Sequence, residues 1–280
     1  MKTILYSLIP IFIFGLVATG FTNHANTKNS ILIQSSDKNI SSVQLSQSAG
    51  IISARLKDFC SGKYYVSVIP GKNQINVMLA DSTDFKTAES LILHKGMIEF
   101  YETFNHAALV ELLKGDGHLF SLLTKSETDK SDTKIGCTTT ADAGKVNDYL
   151  NTLGLKQKCK FVWTQGFDNP GVCLFALRLY GDKGAIITGN DIESAKYGQD
   201  KIQVKLKTAA DKSWSDATKR NIGNDIAIVL DNEVLSYPRV MSTMDSGEIE
   251  ISGKFTPAQA KYIAALLNNG ELPAEFVVVK

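Results

Sequence analysis

The chain has 280 residues, which is room for two modest domains at about 100 to 200 residues per domain. It is 44% hydrophobic and 21% charged, with 30 basic and 29 acidic side chains, as in ordinary soluble domains. This composition excludes a disordered or fibrous protein. A formal net charge of +1 gives no broad basic face, so we do not expect the chain to bind nucleic acid.

Residues 1–20 predict an export signal or an N-terminal anchor. Their apolar run, Ile4 to Val17, follows Lys2 and precedes the small residues that a signal peptidase reads. The run is shorter than the roughly 18 to 20 apolar residues that span a membrane, and a proline interrupts it, which favours a cleaved signal. We therefore expect an exported chain, with retention in the membrane through residues 4–20 as the alternative.

The chain has four cysteines, Cys60, Cys137, Cys159 and Cys173. An exported chain can form disulfides, and three connectivities of four cysteines are possible. Two bridges would require a link between two predicted domains, because Cys60 lies far from the other three. One bridge with two free thiols is an expectation at least as good. No pair has the C-x-x-C spacing of a zinc or redox site.

Residues 31–104 predict a first subdomain in which the hydrophobic period alternates between two and 3.6. The predicted elements are strand Ile31–Gln34, a helix from Ser42 ended by Gly62, strands Tyr64–Ile69 and Ile75–Leu79, helix Asp84–Leu93 and strand Met97–Tyr101. The order β-α-β-β-α-β is typical of the ferredoxin-like fold, in which helices cover one face of a sheet. The other face must then be solvated or docked.

Residues 105–275 predict a second α+β subdomain. Its predicted elements are helix Ala107–Leu113, an exposed loop Lys125–Lys134, helix Ala141–Leu153, a hairpin of Lys160–Thr164 and Val172–Tyr180, strand Lys201–Lys207, helix Asp211–Asn221, strands Ile226–Leu230, Val234–Val240 and Glu248–Ser252, and a helix capped by Thr256 and closed by Asn269-Gly270. The fold class is therefore α+β throughout.

Several short motifs in this second subdomain agree in order and spacing with one family. They are Ile187–Ile192 (ITGNDI), Thr218–Gly223 (TKRNIG), Ile226–Asp231 (IAIVLD), Ser236-Tyr237-Pro238, Ile251–Thr256 (ISGKFT) and Gly270–Pro273 (GELP). Together they resemble the periplasmic head subdomain of the SecD family, and Gln47–Leu79 is similar to the family's base subdomain. The matching positions are motifs of fold: Gly189, Asn221, Gly223, Asp231, Pro238, Gly253, Thr256, Gly270 and Pro273.

The resemblance implies a periplasmic protein that takes part in protein translocation. In SecD, a transmembrane bundle uses proton flow to drive the periplasmic domain, and this sequence shows no such bundle before Lys280. The family's Gly-Gly element near the first membrane helix is also not visible, because Ser35–Ser42 is rich in Ser, Asn and Asp. Asn232, Tyr237 and Lys254 replace the family's usual residues. We expect motion that is thermal and not proton-driven.

We do not expect an enzyme. The histidines, His24, His94, His106 and His118, are scattered, and no metalloprotease, nucleophile-elbow, phosphate-loop or dinucleotide motif is present. Glu248 and Glu250 share one face of a predicted strand, a pattern more typical of a solvated edge than of paired acid and base catalysis. No cofactor or metal is expected.

The hypothesis from sequence is a SecD-like factor that binds unfolded preprotein weakly at the head. Candidate apolar contacts are Trp214, Ile222, Tyr237, Met241 and Met244, although a core position is the stronger interpretation for each of them. Two alternatives stay open. The chain could dock on the Sec translocase, on SecY, SecF or full-length SecD, as a structural or regulatory subunit, or it could be a diverged paralogue that binds another ligand.

Overall fold

The computed structural model describes residues 29–80, 84–124, 132–164, 171–180, 184–252 and 255–279. The predicted export signal, His24, Gly253 and Lys254 lie outside these ranges. Within them, no helix combines the length and the apolar character needed to cross a membrane.

The described residues form strands and helices in mixed order, which confirms the α+β class. The strands are β1 (Ser30–Ser35), β2 (Tyr64–Val68), β3 (Gln74–Leu79), β4 (Ile98–Glu102), β5 (Lys134–Thr139), β6 (Cys159–Thr164), β7 (Gly171–Arg178), β8 (Ile187–Thr188), β9 (Ile192–Tyr197), β10 (Lys201–Leu206), β11 (Ile226–Leu230), β12 (Glu233–Ser236), β13 (Glu248–Ser252) and β14 (Phe276–Val278). The helices are α1 (Ser42–Phe59), α2 (Phe85–Leu93), α3 (His106–Leu112), α4 (His118–Ser121), α5 (Ala143–Thr152), α6 (Thr208–Arg220) and α7 (Pro257–Asn269).

Local sequence explains where the main helices begin. Ser41 and Gln44 form a capping box at the start of α1, and Thr256 and Gln259 form the same motif at the start of α7. In α7, Pro257 occupies the first turn, where its missing N–H costs nothing. These start signals are the ones that the sequence predicted for α7.

The base sheet has the strand order β14-β1-β3-β2, and every neighbouring pair is antiparallel. This is the ferredoxin-like order, but the fourth strand is β14 and not the predicted strand at Met97–Tyr101. Helices α1 and α7 pack against each other beside this sheet, so the second β-α-β crossover runs from β3 through α7 to β14. The prediction that residues 31–104 alone form the base subdomain is therefore wrong. Residues 257–278, which were assigned to the head subdomain, supply helix α7 and strand β14 of the base.

Strand β4 belongs to a seven-stranded sheet of order β5-β7-β6-β12-β11-β4-β8. Both faces of β4 are buried. Ile98 and Phe100 pack into the hydrophobic core shared with the base sheet, and Tyr101 packs into a separate core on the other face of β4. The sheet curls until β4 meets β7 again through a Thr103–Leu177 bridge, and the Phe104 N–H donates to the Ala176 carbonyl at 2.8 Å. Five strands, β4, β11, β12, β6 and β7, thus form a small, nearly closed barrel.

A third sheet, β13-β10-β9, packs against the other side of α7. Asn268 of α7 binds the edge of this sheet, since its side-chain amide accepts from the Ala195 N–H at 2.7 Å and donates to the Ala195 carbonyl at 2.9 Å. Helix α7 is therefore buried on two sides, and one continuous hydrophobic core joins the base sheet, α7 and the third sheet. Separate, smaller cores lie under α3 to α5 and inside the barrel.

One disulfide joins Cys137 of β5 to Cys173, the directly opposite residue of β7, while Cys60 and Cys159 form no disulfide. The structure therefore has one disulfide and two cysteines outside it, which is one of the arrangements that the sequence left open. Strand β5 was not predicted: Lys134, expected to end a loop, is its first residue, and Thr133 before it is buried. Strand β9 was also missed, and residues 165–170, which connect the two strands of the predicted hairpin, lie outside the described residues.

Candidate functional site

The predicted contacts surround the C-terminal end of α6. The helix ends at Asn221, and Gly223, with φ of +82°, redirects the chain into β11. The segment after β12 then returns beside this turn: Val240 pairs with Ile222, and Arg239 pairs with Asp225. Backbone hydrogen bonds of Gly223 N–H to the Val240 carbonyl (2.8 Å) and Val240 N–H to the Asn224 carbonyl (2.9 Å) hold the two segments together.

The five predicted contact residues separate into core and surface. Trp214 is only 4% exposed and packs edge-on against Phe100, so its assignment as a contact is wrong. Its position explains this, because the α6 face that carries Trp214 also carries the buried Ala210, Ala217 and Thr218. Met244 is partly buried against the same core.

Tyr237 lies at one end of the barrel, half-buried. Its ring stacks on Phe175 with centroids 4.8 Å apart, and the Lys134 ammonium lies 5.7 Å from its centroid. Ile222 and Met241, in contrast, are 52% and 79% exposed. Because Ile222 pairs with Val240, the residue before Met241, the two exposed apolar residues occupy neighbouring positions on adjacent backbone segments.

Two buried carboxylates lie beneath exposed arginines beside this pair. Glu102 accepts hydrogen bonds from Tyr180 Oη at 2.6 Å and from Arg220 Nη2 at 2.7 Å. Burial by itself raises the pKa of Glu102, but the hydrogen bonds from Tyr180, Asn221 and Arg220 outweigh it, and the pKa is lowered. Glu102 is therefore ionised at neutral pH, and its charge is balanced by Arg220.

Asp225 repeats this arrangement. It is 2% exposed and accepts from Arg239 Nε at 3.0 Å and from Thr133 Oγ1 at 2.6 Å. Thr133 immediately precedes β5, so this carboxylate ties the turn after α6 to the disulfide-linked strand. The sequence did not indicate either carboxylate. Glu102 binds Arg220 and Asp225 binds Thr133, and each of these partners lies more than 90 residues away along the chain.

We define the α6-end surface as Tyr180, Arg220, Ile222, Arg239 and Met241. The guanidinium of Arg220 lies 5.8 Å from the ring centroid of Tyr180, and about half of the side chains of Arg220 and Arg239 remains exposed. Since buried carboxylates neutralise both arginines, the surface offers flat guanidinium faces and apolar side chains with little net charge. Such a surface suits varied apolar segments more than acidic ones.

The fold motifs behave largely as predicted. Asp231 and Asn232 both have positive φ, 50° and 66°, in the tight reversal between β11 and β12, and Gly270 ends α7 with φ of 74°. Gly189 begins a short 3-10 helix next to Ile98, and Asn221 ends α6. The Pro238 carbonyl accepts from Ile226, and Pro273 lies in the bend before β14.

Asp231 has a second role that the sequence did not indicate. Its carboxylate accepts from the backbone N–H groups of Gly96 (3.1 Å) and Met97 (2.7 Å), and so fixes the start of β4. Beside it, fully buried Arg55 of α1 donates to the carbonyls of His94 (2.6 Å), Lys95 (2.8 Å) and Gly270 (2.5 Å).

Arg55 therefore joins the ends of α2 and α7, where carbonyl groups lack helical partners and attract a cation. Burial lowers its pKa to about 10, so it stays charged at neutral pH. Gly96 has φ of +80°, and a Cβ there would collide with the Arg55 guanidinium. An arginine in the middle of a predicted helix gives no signal of this role.

The described histidines make separate contacts. His94 Nδ1 lies 2.5 Å from Tyr262 Oη, His106 stacks on Phe120, and His118 lies against Tyr149. Glu250 pairs with Lys201 at 2.9 Å, as expected of a solvated sheet. Across the described ranges, the His, Cys, Asp and Glu side chains form no group of three or more that could hold a metal ion.

Comparison with known proteins finds similar sequences for the part of the chain that carries the α6-end surface. Residues 177–274 match the family model "SecDF, P1 head subdomain". Over 100 residues, 34% of this chain, the sequence is 34% identical to protein translocase subunit SecD of Acidaminococcus fermentans, and over 98 residues it is 36% identical to SecD of Aquifex aeolicus. The matched segments cover 24% and 19% of those two proteins, so the chain matches about a quarter or less of their length.

Two solved structures share the fold over 90% of this chain. A crystal structure of SecDF in its super-membrane-facing form has a TM-score of 0.57 at 18% identity, with 29% of that chain covered. A structure of SecDF, described as a membrane component that enhances protein export, has a TM-score of 0.54 at 17% identity, with 98% of that chain covered.

The α6-end surface therefore lies within the residues that match the SecDF P1 head subdomain. Through these residues the chain is similar to the SecD family.

Proposed function

We propose that this chain assists protein translocation by binding unfolded preprotein at the α6-end surface. The observation that carries the proposal is the exposure of Ile222 and Met241 on two paired backbone segments, within the residues that match the SecDF P1 head subdomain. The SecD relatives are translocase subunits by name. The proposed place of action is the outer face of the inner membrane, with the Sec translocase as partner.

Binding of this kind needs no catalytic residue. An extended chain can place apolar side chains between Ile222 and Met241 and stack its peptide groups or rings on the guanidinium planes. Each apolar side chain that becomes buried contributes at most about 1.5 to 3 kcal/mol, and ordering a flexible chain opposes it. The interaction is therefore weak and tolerant of sequence. We propose a binding factor and not an enzyme.

Equilibrium binding of the full chain to a fluorescent unfolded secretory protein tests this, with the same protein in its folded state as the control. We expect selective binding to the unfolded form. Changing both Ile222 and Met241 to Asp should weaken it by roughly tenfold or more, since about 1.4 kcal/mol of lost burial corresponds to a factor of ten.

Val43→Asp supplies the matched control variant, because Val43 is also apolar and 74% exposed but lies on α1. It should bind like the unaltered protein. Equal binding of folded and unfolded secretory protein, or equal loss in the Val43→Asp and the double variant, would contradict the proposal.

A further inference from the structure

The outward face of the base sheet carries no charged side chain. Its residues form rows across the strands: Ser30, Met78 and Tyr65 in one row, Leu32, Asn76 and Ser67 in the next, and Val277, Gln34 and Gln74 in the third. All nine belong to strands that the structure describes in full. We call this set the outer base face; two charged residues, Lys63 just before β2 and Glu275 just before β14, lie at its margin.

Apolar groups cross this face diagonally. Tyr65 and Met78 are directly opposite each other on β2 and β3 and are 64% and 49% exposed. Leu32 lies in the next row, and Val277 on β14 is 54% exposed. Three large exposed apolar side chains on one small sheet are more than the scattered single ones that soluble proteins show.

The polar groups of the outer base face bind one another. Ser30 Oγ donates to Asn76 Oδ1 at 2.7 Å, and Gln74 Nε2 donates to Gln34 Oε1 at 3.0 Å. Amide and hydroxyl groups that already have partners lose less on leaving water than free ones. Covering this face is therefore less costly than its polar content suggests.

The same molecule shows how a solvated sheet face differs. On the third sheet, outward positions alternate with buried ones and carry ion pairs, Lys201 with Glu250 and Lys205 with Glu193, each at 2.9 Å. Such charged pairs keep an open sheet in solution and discourage association. The outer base face has neither these charges nor these pairs.

We propose that the outer base face pairs two copies of this chain, face to face, in a weak and reversible dimer. An uncharged face with a diagonal apolar stripe is complementary to itself and meets no like charge on a second copy. The net charge of +1 adds almost no repulsion between the two molecules.

The size of the face sets the expected strength. Four strands about 4.8 Å apart and five residues of about 3.4 Å each give on the order of 300 Å² per copy and about 600 Å² in total. Stable interfaces bury at least about 1,200 Å², so this dimer belongs to the transient class, with a dissociation constant between about 1 µM and 1 mM.

Sedimentation velocity of the full chain, over concentrations up to about 1 mM, tests the dimer. Tyr65→Lys and Met78→Lys place a charge within the apolar stripe of the outer base face and should weaken association at least tenfold. Both side chains are exposed, so neither variant should lower the thermal unfolding midpoint appreciably. Val43→Lys, on exposed α1, should associate like the unaltered chain.

Two results would overturn the proposal. One is a monomer at every concentration, which would leave the outer base face to another protein or to another segment of the chain. The other is a dimer that persists unchanged in Tyr65→Lys and Met78→Lys, which would place self-association elsewhere. Neither result bears on preprotein binding, because Ile222 and Met241 lie outside the outer base face.

Discussion

Arg55 is the residue on which the junction of base and head depends. It is fully buried, and its guanidinium donates to carbonyls from the end of α2, from the turn before β4 and from the end of α7. A cation without a directly bonded carboxylate is tolerated here because three groups of partially negative carbonyls surround it.

Arg55→Met should therefore cost about 3 kcal/mol or more of unfolding free energy, since it leaves several buried carbonyls without a donor. Urea unfolding followed by circular dichroism measures this cost. Lys57→Met, an exposed position on the same helix, should change stability by less than about 0.5 kcal/mol. Similar midpoints for the two variants would mean that water or a shifted helix replaces Arg55.

Glu102 gives the α6-end surface a defined dependence on pH. Because its pKa in the folded state lies below the ordinary value of 4.5, its ionised form favours folding. That contribution is complete above the ordinary pKa and is lost as the pH falls through the lowered one.

Comparison of the unaltered protein with Glu102→Gln isolates this contribution, because other carboxylates titrate equally in both. At pH 7 we expect the variant to be about 1 to 3 kcal/mol less stable, since the hydrogen bonds from Tyr180, Asn221 and Arg220 no longer reach a charged acceptor. The difference should shrink as the pH is lowered below 4.5. A difference that stayed constant down to pH 3 would show that the charge of Glu102 contributes little.

The thiols have distinct expected reactivities. Burial raises the pKa of the Cys159 thiol to about 12, and Cys159 is only 3% exposed, so it should not react with a thiol reagent in the folded protein. Cys60, which is partly exposed, should react, and Cys137 and Cys173 should not until a reductant is added. Without reductant, a thiol reagent should therefore react with one cysteine per chain in the folded protein and with two in the unfolded protein.

At the scale of elements, the sequence predicted the helices and strands whose bounds depend only on local residues. The ends of β11 and β13 and the whole of α7 follow from local periodicity and capping, and the structure has them as predicted. Partner strands could not be predicted in this way. Strand β4 has the apolar pattern of any buried strand, and nothing in its residues distinguishes β11 from β1 as its neighbour.

The same limit applies to the candidate site. Ile222, Met241 and Trp214 were all selected because adaptable apolar side chains suit varied partners, and sequence could not separate the exposed pair from Trp214, whose helical spacing places it in the core. The carboxylates of Glu102 and Asp225 acquire their meaning only from contacts distant in sequence.

Strand β14 has only three residues, yet it completes the base sheet. Phe276 is 5% exposed within the main core, while its neighbour Val277 points outward. Phe276→Ala should therefore lower the unfolding free energy by about 3 kcal/mol or more, and Val277→Ala should change it little. Chemical denaturation of the two variants provides the measurement, and equal effects would place β14 outside the cooperative structure.

At the scale of the whole molecule, a single core makes base and head dependent on each other. Helix α7 packs on α1 on one side and on β9 on the other, and Arg55 binds the end of the same helix. We expect these regions to unfold together. Hydrogen exchange of Phe276→Ala should show faster exchange in β10 as well as in β1, and an effect confined to β1 would indicate two independent units.

The placement of β14 also bears on how the chain acquires its fold as it emerges. Residues Ile33 to Ser35 of strand β1 pair with strand β14, which lies more than 240 residues further along the chain. Synthesis delivers residues from the N-terminus onward, so the hairpin of β2 and β3 is available long before the sheet can close. Until then, the edge of β1 that β14 will occupy remains open to other chains, and closure of such a large loop is slow. A protein of this topology depends on its own last strand to end the period in which it is most prone to aggregate.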